Sequence, residues 1–186
     1  MLSETLLSRR IVKQICVIVL VLTPFMTKAQ KISSINYIES THDTTLFTSL
    51  EEVSKIEGHS NVILKACAAK EHHIISLYFQ ILDYHRRPFS LSEGVKVIFT
   101  MTDYSTMYIP NINSQAAARE GDPGYRNWTA NAIVDLEQGN IDKMLSMSIR
   151  TISIQADNKS FDFNLSIKQS DVVKKMLQLA IAGESK

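Results

Sequence analysis

HIISLYFQILDY, residues 73–84, is the stretch on which the fold turns. Ile75, Leu77, Phe79 and Ile81 recur at every second residue, so an extended chain puts all four on one face. Ile74, Tyr78 and Leu82 make the other face apolar as well, which predicts a strand inside its sheet and not at an edge. Arg86-Arg87-Pro88 ends it. Working outward, Asn61–Ala69 is strand-like and is separated from residues 73–84 by the turn Lys70-Glu71-His72. On the other side, Gly94–Thr102 (GVKVIFTMT) aligns Val95, Val97, Phe99 and Met101. Asp103-Tyr104-Ser105 then turns the chain into a hairpin partner, Thr106–Ile109, which Pro110 closes because it has no backbone donor.

Three further strands follow. Trp128–Leu136 is one, and Ile149–Gln155 is a second, with Ile152 and Ile154 on the face of Arg150. After the turn Ala156-Asp157-Asn158-Lys159, the last strand faces Phe161, Phe163 and Leu165 inward. Helical spacing appears late. Asp135 and Gln138 form a capping box that opens a short helix to about Met147, carrying Leu136, Ile141, Met144 and Leu145. Gly139 weakens that helix, so packing must hold it. Ser170 caps a second helix with a stripe of Val172, Val173, Met176, Leu177, Leu179 and Ala180, and Gly183 lies past its end. Short strands joined by tight turns, with helices arriving late, define an α+β fold: mostly antiparallel β-sheet with two C-terminal-half helices packed on it.

Two regions read less simply. Ile32, Ile35, Tyr37 and Ile38 suit a first strand or an unpaired lead-in. In Thr44–Ile56 the apolar residues Leu46, Phe47, Leu50, Val53 and Ile56 have helical spacing, with Asp43 as N-cap and Gly58 as stop. The threonines there favour strand, but the spacing predicts a helix.

The first 29 residues read as a secretory signal peptide. Arg9, Arg10 and Lys13 precede the apolar run Ile15–Phe25, and Thr27-Lys28-Ala29 ends in small residues at the expected cleavage point before Gln30. The run is shorter than the roughly 20 apolar residues of a spanning helix. A lipoprotein needs its Cys just after the apolar stretch, and Cys16 sits at the front of it. The expectation is therefore a Sec signal at 1–29 and a single domain at 30–186, periplasmic or secreted, with no membrane span once the leader is removed.

Removing residues 1–29 leaves 16 basic and 18 acidic residues of the original 20 and 19, a net charge of −2. With no basic tract, nucleic acid is excluded as a partner. Cys67 is the only thiol in residues 30–186, so no disulfide forms within them. Its neighbours Leu64, Ala66, Ala68 and Ala69 predict a buried thiol on a packed strand, with an intermolecular bond as the alternative.

Residues with chemistry to offer are scattered. His72 and His73 point to opposite faces of any strand, and His73 and His85 are 12 residues apart, about 40 Å along a straight strand. His42 and His59 stand in loops, and no H-x-x-x-H spacing occurs. No metal or cofactor is expected. Asp83, Asp103, Glu120 and Asp122 are acids whose spacing predicts no convergence, and Asp103 and Asp157 have ordinary turn roles. No catalytic residue is assigned. Asn111–Asn127 (NINSQAAAREGDPGYRN) has few large apolar residues and reads as a long mobile loop. At its end Tyr125, Arg126 and Trp128 are the residue types of binding hot spots and are the candidate binding residues. In the alternative, Trp128 opens a strand and fills the core, while Arg126 and Glu120 are solvated.

The end of the leader, Lys28-Ala29-Gln30, resembles that of exported proteins from Bacteroidetes-type bacteria. The pattern of residues 61–182 is similar to small uncharacterised exported proteins of those bacteria. It runs through the strand Ile74–Leu82, G-V-K-V-I-F with an Asp turn (Gly94–Asp103), I-R-T-I-S-I (Ile149–Ile154), F-D-F (Phe161–Phe163) and a closing helix. The resemblance implies a fold and no activity, so no functional residue carries over. Where those proteins turn on an Asp-Gly pair, this chain has Asp103-Tyr104. The leading expectation is an exported non-catalytic domain that binds a protein or small ligand through the 113–127 loop or an exposed sheet face, its partner an envelope or extracellular protein. The alternatives are a motif-less hydrolase with a loop-assembled site, and an envelope protein that self-associates through Cys67.

Overall fold

Residues 74–83 form β5 (Ile74–Asp83), flanked on both sides by long antiparallel neighbours, β4 (Val62–Glu71) and β11 (Asn127–Leu136), in a computed structural model that describes residues 32–38, 43–56, 61–84, 88–121 and 127–183. The interior position expected from its two apolar faces is the one observed. β4 and β5 join through a two-residue turn, His72-His73, in which His72 takes φ 53° and both imidazoles are exposed.

The sheet around β5 has seven strands. Its order is β1 (Ile32–Ile38), β2 (Asp43–Thr48), β4, β5, β11 and β10 (Ala118–Glu120), and β3 (Glu51–Ile56) pairs with β4 beyond the end of β2. A second sheet of four strands runs β13 (Ser160–Asn164), β12 (Ile149–Gln155), β7 (Lys96–Met101), β8 (Thr106–Pro110). A short pair, β6 (Ser90–Leu91) with β9 (Gln115–Ala116), forms a ladder of its own beside β11. All strand pairings are antiparallel. Two helices, α1 (Gln138–Ser146) and α2 (Ile167–Ala182), complete the described residues as an α+β fold.

The inner faces of the two sheets share one core. Leu64, Ala66, Leu77, Phe79, Ile81, Ala132 and Val134 from the larger sheet join Val97, Phe99, Met101, Ile152, Ile154 and Phe163 from the smaller. The Phe79 and Phe99 rings meet across the interface with centroids 5.9 Å apart. Both are fully buried, and burial of such a side chain contributes about 1.5–3 kcal/mol. Helix α2 inserts Val173, Met176, Leu177 and Ala180 into the same core and lies against β2, β3, β4 and β12.

Side chains seam the two sheets together at both sides. On one, the Ser54 hydroxyl on β3 donates to the Asn164 carbonyl on β13 at 2.7 Å. On the other, residues 111–116 lie along the outer edge of β11. Asn111 accepts from the Ile133 amide at 2.8 Å, Ile112 donates to the Ile133 carbonyl at 2.9 Å, and the Gln115 carboxamide accepts from the Asn131 amide at 2.8 Å. The Asn113 carboxamide donates to the Asn131 carbonyl at 3.3 Å. Asn111, Asn113 and Gln115 stand two residues apart, so an extended chain offers each amide to the strand alongside. The stretch read as a mobile loop is thus pinned as far as its described residues go; it has few large apolar side chains to pack, and carboxamides take the part of a strand ladder instead.

Other expectations are corrected. Residues 44–56 are strand and not helix. β2 and β3 together form one bent partner for β4, with register Phe47↔Ala69, then Glu51↔Ala66, then Ser54↔Leu64, so one residue is gained at each of two irregularities. Extra residues of this kind stretch a period of two toward helical spacing. At the first break Thr48 fills the gap: its buried hydroxyl accepts from the Ala68 amide at 2.9 Å. The Asp135–Gln138 capping box does not form. Asp135 remains in β11 and accepts from the Ser76 hydroxyl at 2.6 Å, while Glu137 is the N-cap of α1 without a side-chain bond. Helix α2 starts earlier than expected, at a capping box made by Ser166 and Gln169. Ser170 is buried one turn later and accepts from the Ile149 amide at 2.8 Å. That bond sits at a register shift between Ile149 and Thr151, which turns Arg150 to solvent, away from Ile152 and Ile154. The Asp103-Tyr104 turn forms with Tyr104 at φ 66°, a conformation that favours glycine, and Asp103 accepts from the Ser105 amide at 2.9 Å.

Candidate functional site

Alternation along β4, β5 and β11 leaves an outer face on the seven-stranded sheet as well as an inner one. Register sets Cys67 beside Tyr78 beside Ile133, and Lys65 beside Gln80 beside Asn131. All six are half-buried. The break between β2 and β3 brings Phe47, Thr48 and Leu50 to the rim of this surface, and together these elements enclose an open cleft of about 320 Å³. Its lining is Phe47, Thr48, Leu50, Cys67, Tyr78, Gln80 and Asn131. The Phe47 and Tyr78 rings meet edge to face at 5.7 Å and 69°. A cavity of this volume lies at the small end of the range of ligand sites, about 300–1,000 Å³.

No lining residue is charged at neutral pH. Burial pushes the Cys67 thiol up to about 11, and burial together with the nearby charges of Glu71, Cys67 and Asp135 raises the Tyr78 phenol. A nucleophilic cysteine needs the opposite shift, toward the thiolate, so at neutral pH Cys67 lines the cleft as a neutral thiol. It was expected in the core. It lies on the predicted strand, but the parity of β4 turns Ala66 and Ala68 inward and Cys67 outward.

Of the candidate binding residues from the sequence, the structure describes Trp128 alone, and it does not line the cleft. Trp128 opens β11 opposite Asp83 and packs half-buried against the core, with the Arg119 guanidinium 6.0 Å from its ring centroid. Tyr125 and Arg126 lie outside the described residues, as do the expected leader at 1–29, His42, His59, His85 and Asp122. The candidate acids that the structure describes, Asp83, Asp103, Glu120 and Asp157, stand on separate elements. Asp83 is fully buried and pairs with Lys159, whose ammonium lies 4.9 Å and 4.6 Å from the Phe89 and Phe161 ring centroids. Asp103 is exposed, its carboxyl held below the usual range by hydrogen bonds from Ser105. Asp157 reaches across to accept from the Ser90 amide at 3.0 Å, and Glu120 is exposed on β10. Among the described residues no group of three or more His, Cys, Asp or Glu side chains is placed to hold a metal ion. No helix among them is long and apolar enough to cross a membrane.

The cleft residues escaped a reading by motif because their chemistry is plain. The one signal in the sequence was the second apolar face of residues 73–84, through Tyr78. Compared with protein-family models, with curated proteins and with solved structures, the chain matches none.

Proposed function

We propose that the chain is an exported, non-catalytic domain that works in the periplasm or outside the cell by binding a protein or small ligand on the outer face of its seven-stranded sheet. The observation that carries this reading is the uncharged cleft between Phe47, Leu50, Cys67 and Tyr78, on a face with no second layer over it among the described residues. The secretory pattern of residues 1–29 supports the location. A thiol held in its protonated form and a cleft lining without a carboxylate support binding over turnover.

The test uses the two faces of the molecule against each other. Leu50 is 45% exposed at the cleft rim, so Leu50→Lys adds a charge there without disturbing the core. Thr151→Lys adds the same charge on the outside of the other sheet. Immobilised wild type and the Thr151→Lys variant retain the same component of an envelope extract, and Leu50→Lys does not. Equal retention by all three, or turnover by the purified protein in a broad hydrolase screen, overturns the proposal.

A further inference from the structure

The chemistry of the cleft narrows its occupant. Gln80 and Asn131 are directly opposed across β5 and β11, which sets their Cβ atoms about 5 Å apart on the same face. Neither side-chain carboxamide hydrogen-bonds another described residue, although both lie half-buried at the edge of an apolar lining. Each offers two N–H donors and a carbonyl acceptor. The pair therefore presents donors and acceptors at the spacing of a single amide unit. On the other side of the cleft Phe47, Leu50, Cys67 and Tyr78 supply an apolar lobe with no charge to balance an ion. A charged group entering it would lose water and find no partner. At about 30 Å³ per water molecule, 320 Å³ is the space of roughly ten waters, enough for one side chain and its flanking amides.

We infer that the cleft binds an uncharged peptide unit, with an apolar side chain lying against Phe47, Leu50 and Tyr78 and a backbone amide read by Gln80 and Asn131. This rests on the proposed binding role of the same face and gives it a ligand class. Lys65, Glu71 and Asp135 lie on the surrounding surface but not in the lining, so charge on a peptide belongs outside the unit that enters.

Nuclear magnetic resonance titration of the isotopically labelled protein tests it with four probes: N-acetyl-L-phenylalanine methylamide, its methyl ester, the free acid, and toluene. The methylamide shifts the Gln80 and Asn131 side-chain amide signals saturably, together with the backbone signals of Cys67 and Tyr78. The ester, one donor short, binds about fivefold more weakly. The free acid binds about tenfold more weakly or worse. Gln80→Leu removes the difference between amide and ester while leaving binding of the aromatic ring. If the ester, the acid or toluene binds as well as the methylamide, the peptide class is wrong and the cleft remains a binding site. If none of the four moves the cleft signals, the binding role of this face falls with it.

Discussion

The outer faces of the two sheets are built to different ends, although their inner faces share one core. The four-stranded sheet shows water a row of hydroxyls and amides: Thr106, Thr100, Thr151 and Asn164 lie side by side across its strands, followed by Tyr108, Ile98, Ser153 and Asp162. Lys96 sits 5.7 Å from the centroid of Tyr108 and Arg150 4.6 Å from that of Tyr104, so its exposed aromatics carry solvated cations. The seven-stranded sheet has Ile63, Cys67, Tyr78, Leu82 and Ile133 on its outer face and a cleft among them. The contrast lies in what the two outer faces carry: polar rows on the smaller sheet, an uncharged cleft on the larger.

Four measurements break or sharpen this contrast. The largest effect is at the seam that covers the edge of β11 beyond the three residues paired with β10. Asn111→Leu leaves the Ile133 amide and the Ser92 carbonyl without their partners in a site 1% exposed, and costs about 3 kcal/mol in denaturant unfolding. A cost below about 1 kcal/mol would mean that the carboxamide ladder is decorative. Next is the cleft thiol. With Cys67 raised from 9.0 to about 11, its thiolate fraction at pH 8 is about a hundredfold below that of an ordinary thiol. The thiolate is the reacting form, so the rate of alkylation climbs about tenfold per pH unit through pH 9 and levels only near pH 11. A plateau near pH 9 would place Cys67 in open solvent. Third, Tyr78→Ala removes a half-buried ring and its contact with Phe47 and costs about 2 kcal/mol, whereas Tyr108→Ala on the other sheet costs about 0.5 kcal/mol. Equal costs would erase the difference between the faces. The smallest effect is that of Thr151→Lys, which changes stability by no more than about 0.5 kcal/mol in thermal unfolding.

The strands that were legible in the sequence are those whose parity never changes. Residues 74–83 alternate without interruption and pair over their full length, and 96–101 and 106–110 form the expected hairpin. Where one strand gains a residue, the pattern misleads. Two such gains made residues 44–56 look helical, and another put Arg150 on the wrong face. Capping was misread, by one turn at Ser170 and by two residues at Asp135, for a related reason. Serine and aspartate serve caps, turns and buried cross-links equally well, and Ser170 and Asp135 bond to distant strands while Ser166 makes the local cap. The candidate site was the least legible part. Its seven residues come from β2, the break after it, β4, β5 and β11, and none has a reactive character that local spacing would flag.

By itself the sequence determined the fold class, through periods of two and of 3.6 that depend only on the geometry of an extended or coiled backbone. It also determined the near-neutral charge and the lone thiol of residues 30–186. Tertiary structure alone decided which side of each strand faces a neighbour, which amides replace a missing ladder, and that Phe47, Cys67, Tyr78 and Asn131 meet around one cleft. Those outcomes depend on register between strands far apart in the chain, and register is set by the sum of all pairings, not by any single stretch.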